Sequence, residues 1–129
     1  MAYEIPVLKP GIWTAGEDLS AKQYYFVKLS GQTVVLCSAL TDVPIGVLQN
    51  APESGQAAEV MVIGITKVSS DAALTVGLLI GPSADSQADA RTIGTDTTHY
   101  VVGQVIGASG AAGGLATAVI NCAAPARAA

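Results

Sequence analysis

Glycine and proline decide what this chain can fold into. Fourteen glycines and six prolines are spread along 129 residues, and no dozen consecutive residues carries a clean helical period of apolar side chains. Relative to alanine, a helix interior loses about 1 kcal/mol for each glycine and about 3 kcal/mol for each proline. The alanine-rich stretches do not escape this limit, because glycine or proline sits among the alanines, as in ASGAAGG (108–114) and CAAPARAA (122–129). Between the breaks lie short runs rich in β-branched and aromatic residues. They are QYYFVKL (23–29), TVVLCSA (33–39), VPIGVLQN (43–50), AEVMVIGITKV (58–68), VGLLIG (76–81), HYVVGQVIG (99–107) and LATAVIN (115–121). Short strands separated by turn signals at spacings of roughly 8–12 residues predict an all-β fold, a small antiparallel sandwich or barrel. Gly64, inside the longest run, predicts a bulge or bend. The polar stretch 82–98 reads as turns with a small hairpin around ARTIG.

The organisation reads as three parts: an extended N-terminal arm (1–18), a β-domain (19–122) and a flexible C-terminal tail (123–129). In the arm, Tyr3, Ile5 and Val7 alternate with Glu4 and Pro6, and Pro10 and Gly11 follow. That pattern is extended and forbids helix. Ile12 and Trp13 come next, and an exposed tryptophan in an arm calls for something to dock on. Within the β-domain there is an internal repeat. PIGVLQNAPESGQAAEVMVIG (44–64) and VVGQVIGASGAAGGLATAVIN (101–121) have the same length and the same order of apolar pair, glycine, β-run, small-residue loop and alternating strand. Ile45-Gly46 matches Val102-Gly103, and Val62-Ile63 matches Val119-Ile120, which predicts two related β-units packed together.

Composition narrows the function. Only 12% of residues are charged, and aromatics make up 5%, so the apolar content is small and aliphatic. This suits thin β-layers or surfaces covered by a partner. The net charge is −4, and the six lysines and arginines are scattered from Lys9 to Arg127. A basic footprint for nucleic acid is absent, and an anionic membrane surface is disfavoured for the same reason. The start, MAYEIPVLKPGIW, lacks the pattern of a secretory leader, so synthesis in the cytosol is expected. Cys37 and Cys122 have no metal-ligand spacing and read as small buried hydrophobes, with pairing left open.

Chemistry is hard to assemble from these residues. The single histidine, His99, follows Asp96 by three positions, yet no nucleophile elbow accompanies them. Asp85, Asp89 and Asp96 share a polar stretch without calcium-loop spacing. The loop GASGAAGG (107–114) precedes a strand-like run, whereas a phosphate loop opens a helix. Glu17 and Asp18 are adjacent and would point to opposite faces of a strand. No catalytic residue, cofactor site or metal site is assigned, and the chain is expected not to be an enzyme.

Three segments in order, DVPIGVLQNAPESGQAAEVMVIGITKV (42–68), AALTVGLLIGPSAD (72–85) and HYVVGQVIGASGAAGGLATAVIN (99–121), resemble the small capsid decoration, or cement, proteins of tailed bacteriophages. The resemblance covers about four fifths of the chain, residues 19–122, and its motifs are of low complexity. It does not extend to the arm, and it transfers no functional residues. It implies a structural virion protein on the outside of an assembled capsid, bound to the major capsid protein lattice. It also implies a homotrimer at threefold positions. Such a protein adds binding free energy that exists only in the assembled lattice. On this reading Tyr3, Ile5, Val7, Ile12 and Trp13 are partner-binding residues. The alternative is a β-sandwich recognition module for carbohydrate or adhesion, which needs exposed aromatics on one face. Tyr24, Tyr25 and Tyr100 are its candidates, although Tyr24 and Tyr25 would face opposite ways on a regular strand. A third reading, a small hydrolase, would rest on His99.

Overall fold

A computed structural model describes residues 5–129. Among the described residues every regular element is a strand. In chain order these are β1 (Ile5–Leu8), β2 (Trp13–Ala15), β3 (Phe26–Ser30), β4 (Thr33–Leu36), β5 (Gly46–Leu48), β6 (Ala57–Ala58), β7 (Val60–Met61) and β8 (Ile63–Ser69). They continue with β9 (Leu79–Pro82), β10 (Ala88–Arg91), β11 (Tyr100–Val101), β12 (Gly103–Gly107), β13 (Leu115–Asn121) and β14 (Ala126–Arg127). The all-β expectation is borne out, and sandwich and barrel turn out to be present together.

The barrel is made by the sheet β6-β2-β4-β3-β5-β7. Its two ends, β6 and β7, are one extended segment interrupted only at Glu59, so the sheet closes on itself. Ala57 and Ala58 pair with β2, while Val60 and Met61 pair with β5. All pairings in it are antiparallel except β2 with β4, which is parallel. Alternation along β3, β5 and β7 then buries side chains on both sides of the wall. Val27, Val34, Leu48 and Val60 point into the barrel, where Leu19 and Ala15 fill the interior. Phe26, Cys37, Val47 and Met61 point out of the wall into a second core. That core is completed by the sheet β1-β8-β13-β12-β9-β10, through Val68, Ile80, Val105, Ala118 and Ile120.

The chain passes from barrel to sheet at Val62. Its amide donates to the Leu8 carbonyl and its carbonyl accepts from the Cys122 amide. The bend expected at Gly64 is there: φ is +146° and the β1–β8 register shifts opposite it. A Cβ at Gly64 would meet the Ile5 carbonyl at 2.6 Å, so only glycine lets β1 lie this close.

The repeat has a structural counterpart. Each copy contributes an antiparallel strand pair, β5–β7 in the barrel and β12–β13 in the sheet. The matched glycines open the first strand of each pair. A Cβ on Gly46 would collide with the Met61 carbonyl, and one on Gly103 would lie 2.6 Å from the Val119 carbonyl. The shared glycine is thus a packing requirement in both units.

Three expectations need correction. Residues 23–25 are not strand: Tyr24 has φ of +70° and the Tyr25 amide donates to the Lys22 carbonyl, so β3 starts only at Phe26. The hairpin in 82–98 is not centred on ARTIG. It is β9–β10, turning through 83–87 with Ser86 at φ +66°. The tail does not fray, because β14 pairs with β11, the Ala128 amide donates to the His99 carbonyl and Ala128 is buried. The arm lies on the β-domain. β1 is the outer strand of the sheet and β2 is an internal strand of the barrel.

Candidate functional site

Of the five arm residues singled out by sequence, Tyr3 lies outside the described residues. Ile5, Val7 and Ile12 are exposed, at 52%, 73% and 72%. Trp13 is only half-buried and packs against both hydrophobic cores. The arm therefore has two roles by position. Trp13 and Ala15 anchor it through the barrel, and the segment from Ile5 to Ile12 presents aliphatic side chains to solvent. Pro6 withholds one amide from the outer strand, a common protection of a sheet edge. Lys9 reaches Glu59 at 3.7 Å. This exposed pair contributes little stability and holds the arm against the barrel segment.

Strand register reveals a second surface that the sequence reading missed. Cross-strand partners place Ile5, Ile65, Val119, Gln104 and Leu79 in one row across β1, β8, β13, β12 and β9. Their neighbours Ala118, Ile120 and Val68 face the core, so this row faces solvent. Leu115 and Ile106 are exposed on the same sheet. From Val119 through Gln104 to Leu79 the row lines an apolar groove of about 320 Å³, walled by Val101, Ala124 and Ala126 beside the β11–β14 ribbon. The signal was present in LATAVIN, where Leu115 and Val119 share the parity opposite to Ala116, Ala118 and Ile120.

The polar candidates come apart or turn structural. His99 Nδ1 lies 3.7 Å from Asp96 Oδ1, but Asp96 also accepts from the Thr92 amide at 2.6 Å, closing a turn. Among the described residues no serine hydroxyl joins that pair. Asp89 sits against Arg91 at 3.1 Å. The GASGAAGG loop is tied down by Ser70, whose hydroxyl meets the Ser109 hydroxyl at 2.8 Å and donates to the Ala111 and Gly114 carbonyls. Glu17 accepts from the Leu36 amide and borders a polar cleft of about 480 Å³ with Lys22, Tyr25 and Asp85. The aromatics form no platform. Tyr25 lies under Lys22, Tyr24 under Lys67 and Tyr100 under Arg127, at 4.9, 5.5 and 5.8 Å.

Burial pushes the Cys37 and Cys122 thiols up to about 12, with the Asp42 charge adding to the effect at Cys37. Both are free thiols in the core between barrel and sheet. Burial raises Asp42 too, but amides of Ser38 and Ala39 and the Lys28 ammonium at 2.9 Å outweigh it and hold that carboxyl below its usual range.

No protein-family model and no curated protein matches the chain. Among solved structures of similar fold is one described as the head fiber gp8.5 N base in bacteriophage phi29. The TM-score is 0.64 at 18% identity, over 89% of this chain and 94% of that one.

Proposed function

We propose that this chain is a structural protein of a phage virion, and specifically a decoration protein. It binds the outside of the assembled capsid through the major capsid protein lattice and stabilises the shell without catalysing a reaction. It does so as a homotrimer at threefold positions. The observation that carries this reading is the fold shared, nearly end to end, with a phage head-fiber base. The arm beyond β1, where Ile12 stands exposed, gives it a physical route. A few aliphatic side chains contribute a weak contact each, at about 25 cal/mol per Å² of apolar area covered. Repetition over a symmetric shell turns weak contacts into firm attachment.

The test is co-sedimentation of the full chain with expanded heads of its own phage stripped of decoration. Deleting residues 1–16 is the wrong probe, because it removes β2 from the interior of the barrel. Ile12→Asp is the better one, since Ile12 is exposed and outside any strand. Wild type should pellet with heads and Ile12→Asp at least tenfold less, with unchanged circular dichroism. Failure of wild type to bind such heads would overturn the reading.

A further inference from the structure

We infer that the solvent face of the six-stranded sheet is the contact between copies of this chain, with edge strand β1 of one copy seated in the groove beside the β11–β14 ribbon of the next. This rests on the trimeric part of the reading above and specifies the surface that part requires.

Three observations carry it. The first is charge. The chain is acidic overall, so copies repel one another. Among the described residues, no carboxylate lies on the outward positions of β1, β8, β12 or β13. Lys67 is the one charged residue on those four strands, and the rest are aliphatic or uncharged polar; at the far edge, on β10, Asp89 and Arg91 share the face and pair with each other at 3.1 Å. Depletion of charge at the centre is what distinguishes an interface from ordinary surface. The second is area. Five strands at about 4.8 Å spacing, crossed by seven-residue β13 at about 3.4 Å per residue, give a face of roughly 20 by 24 Å. That is on the order of 500 Å², and the flanking ribbon brings it near the roughly 600 Å² per partner at the lower end of specific interfaces. The third is shape. The two ends of the row differ: β1 projects Ile5 and Val7, while the β9 end is concave and apolar. Unlike ends that fit each other make a heterologous contact, and such contacts close into rings when the rotation permits.

The test needs no shell. Light scattering on the eluting full chain should give a multiple of 12.9 kDa for wild type. Val119→Asp, in the middle of the row, should give the single-chain mass with unchanged far-ultraviolet dichroism. Leu29→Asp, equally exposed but on the barrel, should keep the wild-type mass. A single-chain mass for wild type near 1 mM, or an unchanged mass for Val119→Asp, would overturn the inference. If Val119→Asp fails to fold, cross-linking decides. Val7→Cys mixed with Ala126→Cys should give a covalent dimer on mild oxidation, and neither alone should. No mixed dimer overturns it. Head binding is measured separately, so a monomer that still coats heads sinks the interface and the trimer and leaves the decoration role standing.

Discussion

Arg91 offers the sharpest quantitative test of how this fold is held. Its side chain is fully buried on the edge strand β10, which lies beside Gly81, where a Cβ would press on the guanidinium at 2.8–3.0 Å. From there it donates Nε to the Tyr100 carbonyl at 3.1 Å and Nη2 to the Pro82 carbonyl at 2.5 Å, with the Leu40 carbonyl at 3.4 Å. Desolvation lowers its pKa, and the Asp89 and Asp96 charges oppose that. Replacing Arg91 by Leu keeps the bulk and strands two firmly held carbonyls. Each buried unsatisfied acceptor costs about 1–3 kcal/mol, so the loss is about 4 kcal/mol. Asp89 adds little, because its carboxylate is a third exposed and regains water. With a urea m-value of about 2 kcal/mol per M, the midpoint should fall by about 2 M. Trp13, half-buried between the two cores, reports it by fluorescence. Arg91→Lys should fall between, since one ammonium serves one carbonyl well. Arg91→Leu within about 1 kcal/mol of wild type would refute the reasoning and mean that water or backbone shifts replace the guanidinium.

Three further outcomes are expected. Asp42 has a lowered folded pKa, so its contribution is present above the unfolded value near 3.9 and disappears as pH falls through the folded one. Asp42→Asn should therefore lower Tm at pH 6, with the difference from wild type shrinking as pH falls below about 4, and an undiminished difference in acid would contradict the assignment. Gly46→Ala forces a methyl onto the Met61 carbonyl at the barrel seam and should cost about 1–3 kcal/mol by thermal melt, whereas Gly11→Ala, with open space around it, should be neutral. At pH 8, buried thiols raised to about 12 should resist a disulfide reagent in the native state, and two should titrate in guanidinium. Rapid native labelling would show that the seam between barrel and sheet opens.

The strand inventory was legible because β-structure here is punctuated by residues with only one use. LATAVIN became β13 without adjustment, and Gly64 bent the chain as its place inside an apolar run implied. The errors arose where tertiary geometry overrode local pattern. QYYFVKL looks like one strand, yet Tyr24 turns because its amide and carbonyl serve Leu48 and Ser69 on two different sheets. CAAPARAA looks unstructured, yet a short pairing and one buried methyl dock it. Barrel closure was not readable at all. It depends on AAEVM pairing with two distant strands at once, and nothing local marks Glu59 as the point where the ladder changes partner. Of the exposed apolar surface, the arm was visible as an extended apolar run, and the row across five strands appeared only with register.

That closure bears on how the protein interacts. A barrel has no edges to offer, and Asn50 further covers its seam by accepting from the Glu59 amide and donating to the Ala57 carbonyl. In the six-stranded sheet the β10 edge is bridged by Ser70, and the Asp71 amide donates to the Ala88 carbonyl. Burial raises the Asp71 carboxyl, and Asp89 and Asp85 add to it, so like charge collects at this edge and disfavours another strand. The β1 edge keeps aliphatic side chains in the open. Adventitious strand pairing is thus suppressed at one end of the sheet and the apolar surface is gathered at the other, continuous with a face that carries no carboxylate on β1, β8, β12 or β13. A chain whose only purpose was to stay dispersed gains nothing from that asymmetry. One whose copies pack in a single orientation, as inferred above, without adventitious strand pairing, requires it.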